Sequence, residues 1–118
     1  MCPGFSTDLL DKAIEIKRQE REGLRLRWIE KVFNAIAKLA GDIPFEEAYL
    51  FGSIIKPYRF LKGADIDIGF VGLKDEHFFK AMAFVSRETG VDVDIIQLEG
   101  HRLEDKVKKE GIKWTRKD

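Results

Sequence analysis

The stretch Leu50-Phe51-Gly52-Ser53, followed downstream by Ala64-Asp65-Ile66-Asp67-Ile68, decides how this chain is read. The run Asp65-Ile66-Asp67-Ile68-Gly69-Phe70-Val71 alternates with a period of two, which predicts a strand. Side chains two apart on a strand leave the same face. Asp65 and Asp67 therefore project together, with Cα atoms about 6.5–7 Å apart, and Ile66 and Ile68 point the other way into a core. Two neighbouring carboxylates repel each other unless a cation lies between them. A hard divalent ion such as Mg²⁺, which takes oxygen ligands, suits the pair.

Working outward, Glu47-Ala48-Tyr49-Leu50-Phe51 reads as a short strand that runs into Gly52-Ser53. Glycine has no side chain to hold a ligand away, so the backbone can approach closely. Successive N–H groups there can cradle phosphate oxygens, and the Ser53 hydroxyl adds a donor. A Gly-Ser pair alone says little; ahead of an Asp-x-Asp strand it becomes informative. A third strand is read at Val91-Asp92-Val93-Asp94-Ile95-Ile96-Gln97-Leu98, where Asp92 and Asp94 share a face and either can join the carboxylates. Three carboxylates converging from two strands fit two-metal chemistry. One ion would activate an attacking hydroxyl, and the other would hold a triphosphate and its leaving pyrophosphate.

The rest of the chain frames this centre. Ser6, Thr7 and Asp8 can cap a helix carrying Leu9, Leu10, Ala13 and Ile14, and residues 17–22 are wholly polar. After Gly23, the residues Trp28, Ile29, Val32, Phe33, Ile36, Leu39 and Ala40 fall on one helical stripe, with Gly41 expected at its C-terminal end. One long helix and two helices hinged at Gly23 are both compatible with this pattern. A helix over Lys74 to Thr89 is expected to bury Phe78, Phe79, Ala81, Met82 and Val85, with Gly90 ending it. The basic C-terminal segment with Leu103, Val107, Ile112 and Trp114 reads as helical up to Gly111. The sum is an α/β fold with a small sheet packed against helices.

Composition narrows the function classes. The 118 residues suit one domain able to bury a core without disulfides. Lys+Arg and Asp+Glu are both 21, so net charge gives no strong nucleic-acid signal. The single cysteine, Cys2, excludes an internal disulfide and any cysteine zinc site. No run approaches the roughly 20 apolar residues of a membrane span, and no apolar signal segment opens the chain, so a cytoplasmic protein is expected. His77 and His101 have no paired ligand spacing, and Lys106-Val107-Lys108-Lys109 reads as a solvated helix face.

Together, Gly52-Ser53, Asp65-Ile66-Asp67 and Val93-Asp94-Ile95-Ile96-Gln97-Leu98 resemble the DNA polymerase β-like nucleotidyltransferase superfamily, and most of all its minimal members. The resemblance spans residues 24–114. It implies a polymerase β-like fold with a small mixed sheet, divided here into an N-terminal helical extension (1–23) and a nucleotidyltransferase domain (24–118). It implies Asp65, Asp67 and Asp94 as catalytic ligands of two Mg²⁺ ions, and Gly52 and Ser53 as nucleotide-binding residues. The Arg-Gly common after Gly-Ser in minimal members is missing from Ile54-Ile55-Lys56-Pro57-Tyr58-Arg59, so Lys56 and Arg59 are the expected substitutes on phosphate. Pro57 should also shorten any helix that starts at Ser53. The implied reaction moves a nucleoside monophosphate, AMP from ATP, to an acceptor. Minimal members are typically paired with a HEPN-domain toxin, so the implied acceptor is a tyrosine of such a partner and the implied role is antitoxin. The alternatives are a non-catalytic nucleotide- or partner-binding module and a transferase acting on a small aminoglycoside-like molecule. Homo-oligomerisation stays open.

Overall fold

The computed structural model describes residues 3–56 and 65–115, with side chains from residue 10 onward. A single helix, α1 (Pro3–Asp42), opens the chain. It is followed by β1 (Glu47–Phe51), a 3₁₀ turn (Gly52–Ile55), β2 (Ile66–Val71), a second 3₁₀ turn (Asp75–His77), α2 (Phe78–Thr89), β3 (Val93–Gln97), α3 (Glu104–Glu110) and β4 (Ile112–Trp114). The sheet order is β3-β2-β1-β4. β1 runs antiparallel to both β2 and β4, and β2 runs parallel to β3 across the α2 crossover. This is the small mixed sheet with an added N-terminal helix that the sequence implies.

Alternation along the strands sorts residues between two faces. Ala48, Leu50, Ile66, Ile68, Phe70, Val93 and Ile95 point to one face and form the main core with Val32, Ile36 and Leu39 of α1 and Ala81 and Val85 of α2. Phe45 closes one end of this core, edge-on to Phe70 with ring centroids 4.9 Å apart. Among the described residues, the other face is only half covered. There α3 and the chain before it pack Val107 and Leu98 against Tyr49 and Val71. The uncovered half carries Asp67 and Asp94.

Several elements sharpen the sequence reading or differ from it. Of the two arrangements left open at Gly23, the structure has the single long helix, because the polar stretch before that residue continues α1 beyond the body. Residues 10–21 are all exposed, while Val32, Ile36 and Leu39 are fully buried. Gly41 lies inside the last turn, and the helix stops at Asp42 because Ile43 precedes Pro44, whose ring disfavours helical backbone before it. The helix expected from Lys74 begins as α-helix, α2, only at Phe78, since Asp75–His77 winds as a 3₁₀ turn. Phe78 is half-buried, but Phe79 is 74% exposed and does not join the core. The C-terminal segment is helical up to Gly111 as expected, but Ile112–Trp114 beyond it is a strand on β1, with Trp114 buried. Gly111 makes that switch possible. A Cβ there would lie 2.8 Å from the Leu50 carbonyl oxygen, so only glycine lets the end of α3 press onto β1.

Candidate active site

Three elements meet at the uncovered half of the sheet. β1 ends at Phe51, which is opposite Asp67 in the antiparallel register. The chain then turns at Gly52 with φ +82, backbone that side chains other than glycine rarely adopt. The same glycine is also in close approach: a Cβ built on it would collide with the Asp67 carboxylate oxygen Oδ2. Position 52 is therefore fixed twice over, by backbone angle and by the space Asp67 takes. Ser53 follows within the short 3₁₀ turn, which ends at Lys56 in extended backbone. That stop is the one expected from Pro57, which pushes its predecessor out of helical angles.

Asp67 lies at the centre. It is directly opposite Asp94 in the parallel β2–β3 register. Asp65 precedes β2 by one residue and is exposed, as is Asp94. Burial raises the Asp67 carboxyl above its ordinary range, and the negative charge of Asp94, then that of Asp65, raises it further. Asp92 is not among the charges acting on Asp67; it lies outside β3, its carbonyl accepting the Ile66 N–H at 3.2 Å. Of the two residues left open by the sequence, Asp94 is therefore the one set against Asp67. Among the described residues, no three His, Cys, Asp or Glu side chains already stand as a closed metal-ligand set. The donor set nevertheless fits a hard divalent ion. It consists of carboxylate oxygens only, its members raise one another's charge burden, and two of the three are exposed.

The turn that carries Gly52 and Ser53 is anchored from behind. Arg25 of α1 donates from Nη1 to the Ile54 carbonyl at 3.0 Å and is paired with Glu22. Sequence reasoning missed Arg25, for nothing in a polar helical stretch distinguishes an arginine that spans the fold from one in solvent. Lys56 is exposed beside Gly52, where the two line a small cavity of about 150 Å³ with Lys106 and Val107 of α3. Arg59, the other expected phosphate contact, lies outside the described residues.

No family profile matches the sequence, and no curated protein does either. Solved structures do. One assigned as a nucleotidyltransferase from Sulfolobus solfataricus is 31% identical, with 86% of this chain and 88% of that one covered and a TM-score of 0.54. The chain belongs to the nucleotidyltransferase family. A structure assigned as a minimal nucleotidyltransferase matches at 24% identity over 78% of this chain and 93% of that one, with a TM-score of 0.59. A toxin–antitoxin structure with AMP-PNP matches at 25% identity over 73% of this chain and 74% of the other, again with a TM-score of 0.59. This nucleotidyltransferase shares the fold of these structures and displays the Gly-Ser turn and the Asp-x-Asp strand in contact with each other.

Proposed function

We propose that this nucleotidyltransferase transfers AMP from ATP to a tyrosine hydroxyl of a HEPN-type partner protein and acts as the antitoxin of that pair. The observation that carries the reading is the packing of the Gly52 backbone against Asp67, which itself faces Asp94. Phosphate-binding backbone and a charge-loaded carboxylate cluster thus share one small surface. The toxin–antitoxin neighbours, one with AMP-PNP, support both the nucleotide and the partner.

In this reading Asp65, Asp67 and Asp94 hold two Mg²⁺ ions, whose positive charge would lower the pKa of the acceptor hydroxyl and stabilise charge on the phosphates. The chain's own residues orient the substrate. Backbone N–H groups of the Gly52–Ile55 turn and the Ser53 hydroxyl take the β- and γ-phosphates, Lys56 adds a cation beside them, and Arg25 holds the turn in place. The acceptor oxygen attacks the α-phosphorus and loses its proton, and the bond to the bridging oxygen of pyrophosphate breaks.

Label transfer from α-³²P-ATP with Mg²⁺ in a lysate of the source cells tests this reading, with Asp65→Asn/Asp67→Asn as control. A labelled protein band that disappears with the double variant is the expected result. Absence of any labelled product with the unsubstituted protein would leave a binding module that neutralises its partner without chemistry.

A further inference from the structure

Phe79 is a large apolar side chain left 74% exposed on the first turn of α2, although its neighbour Phe78 turns inward and meets it edge-on at 5.2 Å. It does not stand alone. Phe79 and Met82 form one wall of an open groove of about 610 Å³, and Asp65, Asp92 and Asp94 form its acidic side. The groove runs beside β3, the outermost strand of the sheet, which pairs only with β2 among the described residues. Unpaired backbone on such an edge is a template for an incoming extended segment.

The sheet order gives this groove its meaning. β1 and β3 flank β2 on opposite sides, so Gly52 and Asp94 lie on opposite sides of Asp67. In phosphoryl transfer the attacking and leaving oxygens stand roughly in line across the phosphorus. With pyrophosphate leaving toward Gly52 and Ser53, the attacking hydroxyl has to arrive from the β3 side. The Phe79 groove is what lies there.

We infer that the groove between α2 and the edge of β3 is the acceptor site, and that it takes a protein segment whose hydroxyl residue is flanked by an apolar side chain and by Lys or Arg. The inference rests on the transferase reading above. Phe79 and Met82 supply the apolar contact. Of the carboxylates at the rim, Asp92 is the one not assigned to metal, and its exposed negative charge favours a Lys or Arg beside the hydroxyl residue. The groove is shallow and open, whereas a small-molecule substrate is normally enclosed over most of its surface. A segment presented by a folded partner needs no such enclosure, because the rest of the partner holds it in place.

The test combines α-³²P-ATP labelling in the source lysate with calorimetric titration of Mg·ATP, for the unsubstituted protein, Phe79→Ala, and Phe79→Trp. Because Phe79 is exposed, removing it leaves the core intact. Phe79→Ala is expected to cut labelling of the acceptor protein by about tenfold or more, as for an aromatic interface anchor, with the Kd for ATP kept within about twofold. Phe79→Trp should retain most of the labelling. Unchanged labelling by Phe79→Ala overturns the assignment. So does an equal loss of ATP affinity, which would make the groove part of the nucleotide site, and so does label confined to small molecules. If the unsubstituted protein transfers nothing, the transferase reading itself falls first, visibly in that lane, and the acceptor groove falls with it.

Discussion

Two carboxylates on the same face of the sheet, Glu47 and Asp67, stand in opposite electrostatic situations. At the covered end, Glu47 is paired with Lys113 at 2.8 Å and accepts the Tyr49 hydroxyl at 3.2 Å. The hydrogen bond from Lys113 holds its carboxyl below the ordinary value. At the open end, Asp67 faces Asp94 with Asp65 nearby, and its carboxyl is pushed up by burial and like charge. The covered end answers each charge with a partner. Among the described residues the open end gathers charges of one sign around Asp67, which costs stability in the free protein and which a bound cation would relieve. Such a conflict marks a site shaped by something other than folding.

The largest effect on this contrast should come from Gly52→Ala. The new methyl must occupy the space of Asp67 Oδ2 on backbone at φ +82. A cost of about 1–3 kcal/mol is expected from strain, and a loss of transfer of at least about a hundredfold from displaced phosphate contacts. Chemical denaturation and label transfer measure the two, and a fully active, equally stable variant would break the comparison.

A smaller effect is expected for Asp67→Asn in metal-free protein, and it has the unusual sign. The folded carboxyl titrates above its ordinary 3.8, so between those values the folded state holds more protons than the unfolded one. Stability then falls as pH rises through this window, and the cost persists at neutral pH. Removing the charge should raise Tm at pH 7 by about 1–3 °C, kept small by solvent screening, and should flatten the acid side of the profile. Mg²⁺ should raise the Tm of the unsubstituted protein and leave the variant unmoved. Thermal melts at several pH values decide this, and a variant less stable than its parent would refute it.

The smallest effect should be that of Glu47→Gln. It removes a half-exposed pair with no role in the chemistry. Tm should fall by no more than about 2 °C and transfer should be unchanged. A loss of transfer would mean that the covered end is coupled to the open one.

What the sequence could and could not reveal follows from how local each signal is. Asp65, Asp67 and their opposed isoleucines were legible because strand alternation is a two-residue rule, and Gly52-Ser53 because it stands just after a strand. The choice between Asp92 and Asp94 was not, since it depends on register with a separate strand. Ile112–Trp114 was missed as a strand because three residues carry too little periodicity, and its pairing with β1 is set by the tight fit at Gly111. Phe79 was assigned to the core on helical spacing, yet spacing fixes a face and cannot say where the sheet beneath that face ends.

The projecting part of α1 behaves differently from the rest of the molecule. From Val32 onward the helix is held by the core, but over residues 10–21 every side chain is exposed, and the described contacts there are local pairs such as Gln19 with Glu15. A short free helix in water is marginal chiefly because its first turn is costly to start. Here that turn never has to be started, because the packed half of α1 serves as a permanent seed. Winding can advance and retreat along the projection one residue at a time, at about 1.5 Å per step. The projection thus owes its start to the packed half of α1 and not to its own sequence, which is how a wholly exposed, polar stretch can continue the helix.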